Sequence, residues 1–181
     1  GGWFRKEIKS VADLKGLKFR IGGMAGLVMA KLGVVPQQLG PADIFPALEK
    51  GTLDAVEWVG PYDDEKLGFN KVAKYYYTPG YWEGGPMLMT FVNEKKWNEL
   101  PKGYQAALQA ACGEANSWMM AKYDQLNPPA MKKLLASGTK LHAFSPEIMQ
   151  ASFKAAMELY AEISTTNGNF KKVYASLTDF A

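Results

Sequence analysis

The chain has 181 residues, of which 48% are hydrophobic and 22% charged, as in an ordinary globular protein. Its formal net charge of +3 is small and its lysines are scattered, so nucleic-acid binding is not indicated. No segment approaches the roughly 20 consecutive apolar residues of a transmembrane helix.

The first third of the chain is predicted to alternate short helices and strands. Ser10 is a typical N-cap, and Gly16 and Gly51 are typical left-handed stops. In chain order, the predicted elements are a one-turn helix over 10–16, a strand over 17–21, a helix over 24–32, a helix over 41–51 and a strand over 53–59. This order with short links predicts an α/β sheet with parallel crossovers, in which ligands bind beyond the carboxyl ends of strands.

The remainder of the chain is predicted to hold longer elements. Aromatic and β-branched residues over 75–92 indicate two further strands, and Asn93 caps a short helix. Pro101 begins a long amphipathic helix to about residue 126, which the prolines at 128–129 break or kink before it resumes. A strand over 139–144 and a helix from Ser145 to about residue 165 follow. The long helix exceeds what one small domain needs and could bridge two lobes.

Two stretches place a carboxylate beside a tryptophan just before a Gly/Pro break. Residues 54–61 read DAVEWVGP and contain Glu57, and residues 81–86 read YWEGGP and contain Glu83. An acid at the end of an apolar run is costly to bury unless a cation or several donors meet it, so the two acids suggest one shared polar site. Their oxygens suit a hard cation such as Na⁺ or Ca²⁺. When each glutamate is considered separately, the alternative to a shared cation site is a salt bridge at the surface.

Arg20 lies near the end of the strand over 17–21, and only Ile21 separates it from the glycines at 22 and 23. Its planar guanidinium can bind a carboxylate through two hydrogen bonds, and the glycines leave room for a ligand to approach. A solvated charge at the strand end is the alternative. Trp58, Tyr81 and Trp82 are predicted to be either core or pocket wall.

Three other features favour structural interpretations. The acidic cluster at 63–65 lacks the alternating spacing of a calcium loop, so it is predicted to be a solvated helix start. Cys112 lies in an alanine-rich helical stretch and is predicted to be a small buried side chain. His142, the only histidine, has no spaced acid or cysteine partner, which gives a zinc site or a catalytic triad little support.

Several motifs resemble, in order, the solute receptors of tripartite ATP-independent periplasmic (TRAP) transporters, the DctP-like family. They are VADLKGLKFRIGG at 11–23, GVVP at 33–36, PALEKGTLDA at 46–55 and EW at 57–58. GPYDDEKLG at 60–68 and EGGP at 83–86 are similar to the branch of that family that binds α-keto or α-hydroxy acids together with a metal ion.

The resemblance implies an α/β fold of the type II periplasmic binding protein class, with two lobes that close on an organic acid. The chain would be a C-terminal fragment, mostly the second lobe plus strands and a long helix shared with a first lobe upstream. The implied parts are an α/β core over 1–70, crossover strands over 71–100, a lobe-spanning helix over 101–138 and a return strand with helices over 139–181. Apolar surface at residues 75–77, at Trp82 and on the long helix is then expected to be uncovered.

Site roles are also implied by position. Arg20 is similar to the arginine that binds the substrate carboxylate, and Glu57, Trp58 and Tyr81 would also contact substrate. Glu57, the main-chain carbonyl of Trp58 and Glu83 resemble the ligands of a Na⁺ or Ca²⁺ ion. The implied protein is a periplasmic receptor for a small 2-oxo or 2-hydroxy carboxylate such as pyruvate or lactate.

The implied partners are the TRAP membrane permease subunits, and the full-length receptor could form a homodimer. No catalysis is implied. Two other classes are considered. One is a hydrolase that uses Glu57 and Glu83 as an acid pair, which needs carboxyl groups roughly 5 to 10 Å apart. The other is a ligand-sensing domain of a signalling protein.

Overall fold

A computed structural model describes residues 1–82 and 88–180 of the chain. The strands in these residues are β1 (Gly2–Phe4), β2 (Lys18–Arg20), β3 (Val35–Gln37), β4 (Ala55–Val56), β5 (Tyr75–Thr78) and β6 (Lys140–Ala143). The helices are α1 (Gly23–Lys31), α2 (Pro41–Lys50), α3 (Pro61–Leu67), α4 (Glu94–Glu99), α5 (Lys102–Ala136), α6 (Pro146–Thr166) and α7 (Gly168–Phe180). Short 3-10 helices cover Val11–Leu14 and Phe69–Lys71.

The strands form one mixed sheet in the order β3-β2-β4-β1-β5-β6. β2 pairs in parallel with β3 and β4, which confirms the predicted parallel crossovers. β1 runs antiparallel to β4 and β5 and joins the two halves of the sheet. β1 and β3 were not predicted. Each has three residues, and β3 contains Pro36, which is tolerated because β3 is an edge strand.

Both faces of the sheet are covered by apolar side chains. Successive residues of a strand point to opposite faces. Phe4 and Tyr77 accordingly belong to one buried cluster, and their neighbours Trp3 and Tyr76 belong to the other. The second cluster includes Leu134 of α5, which ties the end of that helix to the sheet.

Several element boundaries differ from prediction. β4 has two residues instead of seven, and the chain after Val56 leaves the sheet. Of the two strands predicted over 75–92, β5 is present, no strand lies in 88–92, and residues 83–87 lie outside the described ranges. α5 continues through Pro128 and Pro129, so of the predicted break or kink the break was wrong. Buried contacts of Ala130 and Leu134 hold the helix beyond the prolines against the body.

The expected uncovered surface is only partly correct. Tyr76 and Tyr77 are buried, because β5 is an inner strand with a neighbour on each side. By contrast, α5 exposes Tyr104 and Trp118. Cys112 is also exposed, so the prediction of a buried thiol was wrong. No helix in the described part of the chain combines the length and apolarity needed to cross a membrane.

Candidate functional site

The sheet brings Arg20 and Glu57 together at the carboxyl ends of two neighbouring parallel strands. Arg20 is the last residue of β2 and is paired with Val56 of β4. The Glu57 amide donates to the Arg20 carbonyl at 2.9 Å, directly after the ladder ends. The two side chains therefore start from adjacent points at the edge where the sequence predicted a ligand site.

The Arg20 guanidinium is held against the segment that follows β4. Nη1 donates to the main-chain oxygen of Glu57 at 2.8 Å and lies 3.5 Å from the Glu57 carboxylate. The guanidinium carbon is 4.8 Å from the centre of the Trp58 ring, a cation–π contact. Both charged side chains are only about one-fifth exposed, at 20% and 19%. Among the described residues, Nη2 has no hydrogen-bond partner, so this end of the guanidinium retains donors for an anion.

A cleft of about 750 Å³ opens beside this cluster. Its lining includes Glu57 and Trp58 and, from α5, Met120, Tyr123 and Asn127. Arg20 is not itself part of the lining; it contacts Glu57 and Trp58 from the strand side. The volume lies within the range of small-molecule sites.

Tyr81 lies in a different cavity from Glu57 and Trp58. Its hydroxyl accepts a hydrogen bond from Ser152 at 2.8 Å and donates to the sulfur of Met29 at 3.1 Å. This cavity of about 250 Å³ lies between α1 and α6 and is mainly apolar. Trp82 lines both the cavity and the cleft. The structure thus brings Trp82, and not the Tyr81 hydroxyl, to the cleft of Glu57.

The predicted cation site consists of Glu57, the main-chain carbonyl of Trp58 and Glu83. Glu83 lies outside the described residues. Within 1–82 and 88–180, no three His, Cys, Asp or Glu side chains converge into a metal site. Among the described residues, the oxygen-bearing side chains that line the cleft are those of Glu57, Asp64, Tyr76, Tyr123, Asp124 and Asn127. Oxygen donors of this kind fit a hard cation and not a thiophilic metal.

Asp64 is a polar residue of the cleft whose role the sequence did not indicate. It is 2% exposed, although it belongs to the acidic cluster that was predicted to be solvated, and for Asp64 that prediction was wrong. Oδ2 accepts from Trp3 Nε1 at 2.8 Å and from the Tyr76 hydroxyl at 2.9 Å. Oδ1 accepts from the amides of Gly60 at 3.1 Å and Val59 at 3.3 Å. No local pattern could show this, because Trp3 lies 61 residues away.

Burial raises the pKa of the Asp64 carboxyl above its usual value of 3.8, although hydrogen bonds from Trp3, Tyr76, Gly60 and Val59 act in the opposite direction. Burial, with the nearby carboxylate, also raises the pKa of Tyr76. The Tyr76 hydroxyl therefore keeps its proton and remains a donor to Asp64.

The raised pKa of Asp64 predicts how stability changes with pH. In the unfolded chain this carboxyl loses its proton near pH 3.8, and in the folded protein it does so at higher pH. Between these values the folded state binds more protons, so the contribution of Asp64 is full below the unfolded pKa and is lost as pH rises through the folded pKa. We expect the free energy of unfolding to fall, relative to an Asp64→Asn variant, as pH rises from about 3 to about 7. Denaturant titrations measure this difference, and parallel curves for the two proteins would contradict it.

A mixed α/β sheet that presents an arginine, a glutamate and a tryptophan after neighbouring strand ends, beside a cleft, has the arrangement of a small-ligand site in open α/β folds. Residues 1–167 match the model of the DctP family, described as bacterial extracellular solute-binding protein, family 7. The chain belongs to this family.

Relatives of known name or structure agree with this assignment. A monocarboxylate 2-oxoacid-binding periplasmic protein from Nostoc sp. is 55% identical over 174 residues, 96% of this chain and 48% of that protein. A TRAP transporter solute-binding protein from Bordetella bronchiseptica has a TM-score of 0.96 and 58% identity over 99% of this chain and 54% of its own. That structure is a dimer with copurified calcium and picolinate in its active site.

A further similar structure is a TRAP periplasmic solute-binding protein from Pseudoalteromonas atlantica with bound sodium and pyruvate. It has a TM-score of 0.87 and 38% identity, and the match covers 99% of this chain and 55% of that one. The fold is therefore that of the TRAP periplasmic solute-binding proteins. The chain spans about half the length of the curated relatives that it matches.

Proposed function

We propose that this chain is part of a periplasmic solute receptor of a TRAP transporter that binds a small 2-oxo or 2-hydroxy monocarboxylate together with Na⁺ or Ca²⁺. The observation that carries the proposal is the position of the Arg20 guanidinium, fixed against Glu57 and Trp58 beside the cleft. Membrane permease subunits would receive the acid. A homodimer of the full-length protein is part of the same proposal, supported by the dimer of the Bordetella relative.

The ligands of the two solved relatives share one chemical feature. Picolinate carries a ring nitrogen next to its carboxylate, and pyruvate carries a keto oxygen in the same place. Either ligand can present a carboxylate oxygen and a neighbouring donor atom to one cation. The proposed substrate class is therefore a carboxylate with a donor atom on the adjacent carbon, which includes 2-oxo and 2-hydroxy acids.

Different residues of this chain would bind the substrate carboxylate and the cation. Arg20 would bind the substrate carboxylate through charge-assisted hydrogen bonds, while the Trp58 ring restricts the plane of its guanidinium. The Glu57 carboxylate and the Trp58 carbonyl would hold the cation, with Glu83 as a further predicted ligand. When bound, the cation supplies positive charge to the donor atom beside the substrate carboxylate. Trp82 would close part of the cleft.

The role of Tyr81 is revised in this proposal. Its hydroxyl is engaged by Ser152 and Met29 in the separate cavity. Tyr81 would therefore influence the substrate only through Trp82, whose ring lies 4.8 Å away in an edge contact. The predicted division into a core over 1–70, crossover strands over 71–100, a lobe-spanning helix over 101–138 and a return segment over 139–181 remains part of the proposal.

An enzyme is not favoured. The family is one of solute-binding proteins, and the carboxylate-pair hydrolase considered from the sequence requires Glu83, which is not among the described residues. Glu57 lies 3.5 Å from the Arg20 guanidinium, an ion pair that gives no specific support to a role as general acid. A sensing domain has no specific support from the contacts of the site.

Calorimetric titration of the full-length protein tests the proposal with matched pairs of acids. Pyruvate and picolinate should bind, and their affinities should fall when Na⁺ and Ca²⁺ are removed. Propionate, which lacks the α-oxygen, and nicotinate, whose ring nitrogen is one position further from the carboxylate, should bind at least tenfold more weakly. Equal affinities within each pair, or binding of pyruvate that ignores both cations, would overturn the proposal.

A further inference from the structure

We propose that Asp64 is a positioning residue of the binding site: its buried carboxylate fixes the main chain at Val59 and Gly60 and so sets the place of Glu57 and Trp58. The inference rests on the proposed function, since Glu57 and Trp58 are its proposed binding residues. The same cleft is lined by Asp64 and by the four residues that it is proposed to position, Glu57, Trp58, Val59 and Gly60.

The carboxylate joins the segment after β4 to the two strands beyond it. Trp3 of β1 and Tyr76 of β5 are register partners, and their rings stack with centroids 4.0 Å apart. Both donate to the same oxygen of Asp64. Trp3 is also paired with Val56, the last residue of β4. The oxygen that faces the sheet is therefore bonded to β1, which is the neighbour of β4, and to β5, which is the next strand beyond β1.

The other oxygen holds the segment whose position matters for binding. The amides of Val59 and Gly60, which directly follow Trp58, both donate to Oδ1. The Val59 side chain is 57% exposed, so apolar burial does not fix this part of the chain. A further hydrogen bond fixes the chain just beyond Gly60, where the Tyr62 amide donates to the Asn127 side chain of α5 at 3.1 Å. Hydrogen bonds thus fix the main chain at Val59 and Gly60.

Asp64 lines the cleft but is not arranged to bind a ligand itself. An ionised carboxylate offers about four acceptor positions, and the four donors to Asp64 account for that number. A cation at Asp64 would have to displace these protein donors. Glu57 differs, because its carboxylate is about one-fifth exposed next to Arg20. We therefore assign the contact with ligands to Glu57 and the placement of its segment to Asp64.

The first test is Asp64→Asn in the full-length protein, measured by calorimetry with pyruvate in the presence of Ca²⁺ or Na⁺. An amide has one acceptor oxygen, so it cannot accept from the sheet donors and from the Val59 and Gly60 amides together. We expect the affinity for pyruvate to fall at least tenfold under conditions where circular dichroism shows the variant fully folded.

Two control variants separate positioning from stability and from charge. Asp63→Asn removes the same charge one residue earlier on α3, where the amide oxygen can still accept from the Tyr123 hydroxyl. Tyr76→Phe removes one donor on the sheet side of Asp64 and leaves the bonds to Val59 and Gly60 in place. Both should keep the pyruvate affinity within about twofold of the wild type, although Tyr76→Phe should lower the melting temperature.

Amide hydrogen exchange gives a readout that does not depend on ligand binding. The Val59 and Gly60 amides should be protected in the ligand-free wild type and in Tyr76→Phe, and should lose protection in Asp64→Asn. Rapid exchange of these two amides in the wild type would overturn the inference even if Asp64→Asn did not fold. An unchanged affinity of folded Asp64→Asn, while the wild type binds pyruvate, would also overturn it. A wild type that does not bind pyruvate would instead refute the proposed function.

Discussion

Replacement of Arg20 by lysine is expected to weaken pyruvate binding by the full-length protein at least tenfold, about 1.4 kcal/mol. Nη1 already donates a hydrogen bond to the Glu57 carbonyl at 2.8 Å, so the substrate carboxylate must be bound by the remaining donors of the guanidinium. The lysine ammonium is a single compact charge that cannot satisfy the carbonyl and bind a carboxylate through two parallel bonds. Arg20→Met, which removes the charge as well, should cost about 100-fold, since truncating a buried charge contact costs roughly 2 to 5 kcal/mol.

The chain offers a natural control for this experiment. Arg5 is the only other arginine, and its side chain is exposed after β1. Arg5→Lys should leave pyruvate affinity unchanged in the same titration. If Arg20→Lys binds pyruvate as tightly as Arg5→Lys does, then Arg20 does not contact the substrate carboxylate.

The placements that the sequence predicted correctly are those governed by local patterns. Arg20 and Glu57 each follow a short apolar run that ends a parallel strand, and parallel strands place such residues at one edge. The cap residues Ser10 and Asn93 and the left-handed stop at Gly51 were found for the same reason, since each acts within one helical turn.

The parts that the sequence could not predict depend on contacts between distant residues. The burial of Asp64 arises from Trp3 and Tyr76, which meet only because β1 and β5 are paired. β1 itself is three residues long and lies between strands that follow it by about fifty and seventy residues in the sequence, so no periodicity could reveal it. The position of the Tyr81 hydroxyl, in a cavity apart from Glu57, could not be predicted because the direction of a side chain at a turn follows from its tertiary partners, here Met29 and Ser152.

Helix α5 shows tertiary contacts overriding a local signal. Two consecutive prolines remove two amide donors and favour a helix end. The helix nevertheless continues, with Asn127 just before the prolines bonded to the Tyr62 amide and Leu134 buried beyond them. The same contacts that maintain α5 also place its residues in the lining of the cleft.

The second large effect is expected at Glu57. Glu57→Gln preserves the size of the side chain and the main-chain oxygen that accepts from Arg20, and removes only the negative charge. Because a carboxylate is a much better ligand than an amide for Na⁺ or Ca²⁺, cation affinity should fall. Pyruvate affinity measured with the cation present should then fall at least tenfold, because the two ligands are coupled through the shared site.

The same variant should behave differently when the cations are removed. The Glu57 carboxylate lies 3.5 Å from the Arg20 guanidinium and competes there with any incoming anion. Loss of that negative charge should leave the weak cation-free binding of pyruvate unchanged or make it stronger. Calorimetric titrations of wild type and Glu57→Gln, each with Ca²⁺, with Na⁺ and with neither, measure the coupling as a thermodynamic cycle.

Glu49→Gln is the matched control, since Glu49 is an exposed residue of α2 and the same charge is removed there. It should reproduce the wild-type affinities in all three conditions. A uniform loss of pyruvate affinity in Glu57→Gln, equal with and without cations, would show that Glu57 acts on the substrate or on Arg20 directly and does not hold the cation. Unchanged affinity in every condition would remove Glu57 from the site.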